Sequence, residues 1–202
     1  MHIAEGVLSP PVLIAGGALT MVTCVASLRR LDEGRLIPVA LLSATFFVAS
    51  LVHVPVGPAS AHLILNGLLG AILGMAAFPA ILIALLLQAL LFQYGGLTTL
   101  GVNTWNMAMP AVLIGALARP WLNRQDWRRP AAAFFCGSLG VAGATLCTAL
   151  SLALSDEGFY TAAKILVMTH VPVMLIEGLV TVFTVSFLAR VRPELFNNTL
   201  GK

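Results

Sequence analysis

The stretch Ala61–Phe92, AHLILNGLLGAILGMAAFPAILIALLLQALLF, decides how this chain is folded. It carries no Asp, Glu, Lys or Arg over 32 residues. A membrane-spanning helix needs about 20 residues. The stretch is therefore either one helix that overshoots the bilayer by several turns, or two helices joined by a tight turn at Phe78-Pro79. Charge decides between them. Read as two, the chain has seven helices with its N-terminus outside. The loops holding Arg29, Arg30 and Arg35, and Arg119, Arg124, Arg128 and Arg129, then fall on the cytoplasmic side with the tail residues Arg190, Arg192 and Lys202. Only Lys164 is left outside, as the positive-inside rule favours. Merging the two segments would put the Arg119–Arg129 loop opposite Arg29–Arg35. The expected fold is an all-α integral membrane protein of about seven transmembrane helices, N-terminus outside and C-terminus cytoplasmic.

Working outward, the apolar segments predict helices at approximately 7–28, 36–52, 61–77, 79–92, 106–118, 131–154 and 162–189, in one polytopic domain over 1–202. Hydrophobic residues make up 59% of the chain and charged residues 9%, with a mean hydropathy of +0.97, which excludes a soluble globular class. The formal net charge of +3 serves topology, and nucleic acid is not an expected partner. The opening Met-His-Ile-Ala-Glu-Gly has no basic n-region or small-residue cleavage site, so the first apolar segment is expected to stay in the mature protein. Cys24, Cys136 and Cys147 lie in apolar runs without CxxC spacing and read as small packing residues. Ala15-Gly16-Gly17-Ala18, and Gly137, Gly140 and Gly143, predict close helix packing.

The outer face then gathers Met1, His2, the 54–60 loop leading into His62, the 93–105 loop and Asp156-Glu157. A chain that begins Met-His chelates metal through its own terminus. The Met1 amine and the His2 backbone nitrogen close a five-membered ring; the His2 backbone nitrogen and its Nδ1 close a six-membered one. One further imidazole completes a square of four nitrogens, a geometry that suits Cu(II), Ni(II) and low-spin Co(II) rather than Zn, Mg or Ca. His62 is the partner expected, in the first turn of the third helix with Ser60 as N-cap. Ionisable and strongly polar residues within spans are costly and point to function by default.

His53, at the outer end of the second helix, is placed to orient a ligand imidazole or to sit at the interface. His170 and Glu177 are two helical turns apart on one face of the seventh helix, with Pro172 between them. Their spacing is unlike H-E-x-x-H, and Glu177 reads as a buried acceptor in a polar network. The glycine-rich 95–103 segment lacks the ending of a phosphate loop and is expected to re-enter between helices. Asn103 and Asn106 would then hold the N-terminal strand or the ligand histidines.

Met1-His2-Ile3-Ala4-Glu5-Gly6-Val7-Leu8, Gly57-Pro58-Ala59-Ser60-Ala61-His62, Gly95-Gly96-Leu97-Thr98-Thr99-Leu100-Gly101 with Asn103 and Asn106, and His170-Val171-Pro172 with Glu177-Gly178 follow in order along nearly the whole chain. In these pieces the sequence resembles the CbiM/NikM family, the substrate-capture (S) components of energy-coupling-factor (ECF) transporters for cobalt and nickel. Ala4 and Val7 depart from the more familiar family starts. The resemblance implies a seven-helix fold in a prokaryotic cytoplasmic membrane and a metal held by the Met1 amine, the His2 amide nitrogen and imidazole, and His62. It implies a membrane coupling (T) subunit, two ATP-binding subunits and a small accessory membrane protein as partners, in the service of cobalamin biosynthesis. The ion, Co(II) or alternatively Ni(II), is cargo, and no cofactor of the chain's own is expected. An enzyme is not expected; the competing readings are an intramembrane metalloenzyme using His170, Glu177 and His62, and a structural scaffold or passive channel.

Overall fold

The computed structural model describes residues 2–51, 53–56 and 59–197, without the side chains of 53–56, 59–62, 194 and 197. Met1 and the side chains of His53 and His62 lie outside the described part. The described residues form α1 (Pro10–Leu28), α2 (Leu36–Ala49), a two-stranded hairpin of β1 (His53–Val56) and β2 (Ala59–His62), then α3 (Asn66–Leu73), α4 (Ala77–Phe92), α5 (Leu100–Leu122), α6 (Arg128–Ala153), α7 (Tyr160–Val191) and the short α8 (Glu194–Asn197). Among the described residues five helical stretches are long and apolar enough, by length and composition, to cross a membrane: Pro10–Leu28, Asn66–Phe92 (which comprises α3 and α4), Leu100–Leu122, Arg128–Ala153 and Glu157–Val191. The 14 residues of α2 and the 8 of α3 are shorter than a spanning helix by itself requires. Large apolar side chains such as Ile14 at 72% and Phe183 at 73% exposure cover the outside, where lipid rather than water is the solvent. The protein is a nearly all-helical, multi-pass membrane protein.

The decisive stretch is two helices, but they meet earlier than expected. Asn66 Nδ2 donates to the Met107 carbonyl at 3.1 Å and Gly70 lies against Ala111, so α3 runs beside α5 in the same sense. α4 ends at Phe92, only a short loop before α5 begins, so it runs back the other way. The reversal falls at Gly74–Ala76, where Gly74 (φ +56°, ψ −130°) takes a backbone conformation that only glycine adopts cheaply. Pro79 sits in the first turn of α4, where a missing N–H costs no helical bond. All eight residues of α3 are buried, as an all-round apolar helix requires. A Cβ on Gly67 would strike the Cys136 carbonyl of α6, and one on Gly70 the Ala111 carbonyl of α5. The two glycines let this short helix fill the centre of the bundle.

Two expectations are corrected. The third helix does not cover 61–77: His62 belongs to β2, paired directly opposite His53, and Ser60 caps no helix. The His-Val-Pro-Val of β1 favours extended backbone, since valine is β-branched and proline holds the preceding residue extended. The 95–103 segment is not irregular throughout, because α5 starts at Leu100 and includes Gly101 and Asn103. Gly101 is tolerated there because it packs against Gly17 of α1.

The helix directions give the molecule two unlike ends. α6 runs antiparallel to α5, with Asn106 bonded to Ser151 at one end and Arg129 Nε donating to the Leu122 carbonyl (2.9 Å) at the other. Arg35 donates to the Leu73 carbonyl at the foot of α3 (3.2 Å). Burial first, and then the charge of Arg119, lower the Arg35 pKa, with Asp32 opposing them. Arg129 also lies 5.9 Å from the Phe196 ring. The arginines thus collect at one end, and the N-terminal segment docks at the other.

Candidate metal centre

Residues 2–9 lie against the bundle before α1 begins, with Ile3 and Leu8 buried and Ala4, Glu5 and Gly6 exposed, and side chains hold the backbone of Ile3. Asn103 makes a two-way contact with Ile3: Ile3 N–H donates to Asn103 Oδ1 and Asn103 Nδ2 donates to the Ile3 carbonyl, both at 3.0 Å. Thr99 Oγ donates to the same carbonyl at 2.9 Å. An amide side chain used in this way copies a strand neighbour and satisfies buried backbone groups that would otherwise cost about 1–3 kcal/mol each. Two residues on, a Glu5 carboxylate oxygen accepts from Leu97 N–H (2.8 Å) and Thr98 N–H (3.3 Å). Ile3, Leu8 and Val102 form a small apolar cluster beneath.

The Gly95-Gly96 pair makes room for this segment. Gly95 (φ +78°) would bring a Cβ to 3.2 Å from Asn103 Nδ2 and 3.5 Å from the His2 Cβ, while a Cβ on Gly96 would overlap the Glu5 side chain. The path of residues 2–5 is therefore cut to shape by two glycines, one threonine and one asparagine.

His2 is half-buried beside α4. Its Nε2 lies 2.7 Å from Gln88 Oε1, and its ring stacks on Tyr94 (centroids 6.3 Å apart, planes at 28°). Gln88 is fully buried; its Nε2 donates to Ser50 Oγ at 2.5 Å, and Ser50 Oγ donates to the Phe47 carbonyl at 2.7 Å. Nδ1 is the ring nitrogen on the side of the residue's own backbone, the one a terminal chelate uses.

The segment after β2 is pinned just as firmly. The fully buried Glu177 carboxylate of α7 accepts the backbone N–H of Ile64 and of Leu65, the latter at 3.0 and 3.1 Å. Leu65 takes a left-handed backbone (φ +51°) to present its N–H. Asn66, also fully buried, donates to the carbonyls of Met107 and Gly140. The chain just after the strand that carries His62 is thereby fixed to α5, α6 and α7.

Of the residues singled out from sequence, the structure brings His2 and Asn103 together at the N-terminal segment. Asn106 is elsewhere, bonded to Ser151 of α6. His170 directs Nδ1 to the Leu166 carbonyl of its own helix at 2.8 Å. Among the described residues no three His, Cys, Asp or Glu side chains converge, so three such side chains do not by themselves form a metal site there. Sequence reasoning missed Gln88 and Ser50, and it gave Thr99 and Glu5 no role beyond membership of the family-like pieces. Gln88 carried a signal of its own, as the only strongly polar residue in the 16 of α4.

A multi-pass helical bundle of long apolar helices, with its N-terminal segment docked against α4 and α5 through His2 and Ile3, defines the chain as a polytopic membrane protein. The chain belongs to the CbiM family: the family of the cobalt uptake substrate-specific transmembrane region matches residues 2–195. A provisionally named metal transport protein of Haemophilus influenzae is 41% identical over 98% of both chains. A fused nickel transport protein NikMN of Rhodobacter capsulatus is 33% identical over 96% of this chain and 63% of its own length. The crystal structure of a truncated transition metal transporter superposes with a TM-score of 0.81 at 28% identity, covering 95% of this chain and 99% of that one. The chain is a membrane component of the cobalt and nickel transport family.

Proposed function

We propose that this chain is the substrate-capture subunit of an ECF-type importer in the prokaryotic cytoplasmic membrane, taking Co(II) from the outer side. Seven helices, N-terminus outside and C-terminus inside, place the N-terminal site outward and the arginine end in the cytoplasm. The ion is held by the Met1 amine, the His2 amide nitrogen and Nδ1, and the His62 imidazole. A coupling subunit, two ATP-binding subunits that hydrolyse the nucleotide, and a small accessory membrane protein complete the importer. The observation that carries this reading is the seating of His2, held by Gln88 while Asn103 grips the backbone of Ile3 beside it. Ni(II) is the alternative cargo: it accepts the same four planar nitrogens, the affinity order favours it, and a nickel transport protein is among the relatives.

The test is metal content and visible absorption of purified protein with an authentic free terminus, beside His2→Ala, His62→Ala and a variant extended by one residue before Met1. About one equivalent of metal with a planar-nitrogen spectrum, lost in all three variants, is expected. Equal metal binding by the extended protein sinks the terminal chelate. Competition between Co(II) and Ni(II) assigns the cargo.

A further inference from the structure

We infer that Ser50 and Gln88 are positioning residues that fix His2 in its Nε2–H tautomer, so that Nδ1 keeps the lone pair needed for a ligand. A neutral imidazole carries one proton on either nitrogen, and the partner of one nitrogen decides which. Here the decision traces back to a backbone carbonyl. The Phe47 carbonyl only accepts, so the single Ser50 hydroxyl proton, 2.7 Å away, goes to it. Ser50 Oγ then has only lone pairs to offer Gln88, and the Gln88 amide must turn its NH2 toward Ser50. That turn aims Gln88 Oε1 at His2, and an acceptor 2.7 Å from Nε2 requires a proton on Nε2.

Flipping the amide would leave Phe47 O and Gln88 Oε1 competing for one hydroxyl proton, in a place where Ser50 is 2% and Gln88 0% exposed. Water is not at hand to relieve that conflict, and an unmet buried polar group is expensive. The relay thus links α2, α4 and the N-terminal segment with a defined direction for every hydrogen. Its use in metal capture rests on the proposed chelate; the tautomer assignment does not.

The experiment is ¹⁵N NMR of the full chain in detergent with ¹⁵N-labelled histidine, metal-free, with the His2 signals assigned by their loss in His2→Ala. The native protein should show His2 as the Nε2–H tautomer. Ser50→Ala removes the acceptor that orients the amide, so a substantial Nδ1–H population should appear. Ser50→Thr keeps the hydroxyl and should restore the native pattern. Metal affinity should fall about tenfold in Ser50→Ala, the lower end of what groups orienting a metal ligand contribute, and recover in Ser50→Thr. A Ser50→Ala protein whose His2 remains wholly Nε2–H overturns the relay, whatever its metal affinity. The predicted tautomers in a native protein that binds no metal would uphold the relay and overturn the chelate.

Discussion

Replacing Asn103 by alanine removes the side chain that grips the backbone of Ile3. Two bonds of 3.0 Å are lost, one in each direction, while Thr99 continues to serve the Ile3 carbonyl. Ile3 is 4% exposed, so its orphaned N–H gains no water. An unmet buried donor costs about 1–3 kcal/mol and the second lost bond about 0.5–1.5, or roughly 2–4 kcal/mol against the docked segment. If docking organises the metal donors, that cost appears in affinity as a loss of about 30-fold to several hundred-fold. Asn103→Asp is a sharper control of the same size: it keeps an acceptor for Ile3 N–H but turns a second oxygen toward the Ile3 carbonyl. Metal affinity is measured by chelator competition on protein with an authentic N-terminus, with the melting of the metal-free protein as the control for folding. Both variants should bind far more weakly while melting close to the native midpoint. An Asn103→Ala protein within about threefold of native affinity would refute the idea that the docked segment preorganises the site.

Glu177→Gln should destabilise the bundle by about 1–3 kcal/mol, because its amide oxygen can keep the Oε1 position that accepts both N–H groups while an NH2 replaces Oε2 and is turned toward the Leu65 N–H. The check is the thermal midpoint in detergent; an unchanged midpoint would show that the carboxylate is not needed to pin the chain after β2. Metal affinity should rise with pH, since the ion displaces protons from the amine, the His2 amide and, at lower pH, the imidazoles. An unperturbed α-amino group has a pKa of about 7.7–8.0 and an unperturbed histidine about 6.5, so binding at such donors near pH 7 should release about two protons per ion and more below pH 6. A pH-independent affinity between pH 6 and 8 would remove the amine and amide nitrogens from the site.

The apolar runs and the distribution of arginine were enough to read a multi-pass helical membrane protein, because length and charge act locally along the chain. His2 was singled out for a similar reason: the chelate rings proposed for it would close within two residues. The support around it was not. Asn103 meets Ile3 across 100 residues and Gln88 meets His2 across 86, and no local pattern encodes such a pairing. The β hairpin escaped because Leu63-Ile64-Leu65 continues the apolar run of α3, so hydropathy drew the helix back to Ala61. What breaks that run is the Leu65 backbone turned left-handed toward Glu177, a tertiary demand on a residue that helices otherwise welcome.

The same geometry bears on the two positions where this chain departs from the familiar family start. Ala4 is exposed, and Val7 packs only at the margin of the small Ile3–Leu8–Val102 cluster. Neither side chain has a polar atom, so neither contributes a hydrogen bond that seats His2, Ile3 or Glu5. The residues that do are Gln88, Thr99 and Asn103, which grip main chain or the ring of His2, and the Leu97 and Thr98 backbone, which holds the Glu5 carboxylate. Variation at positions 4 and 7 therefore leaves the path of the segment intact. If the proposed chelate holds the ion, any preference between cobalt and nickel would arise closer to it, in how squarely the nitrogens are held and in the imidazole that Gln88 and Tyr94 hold in place.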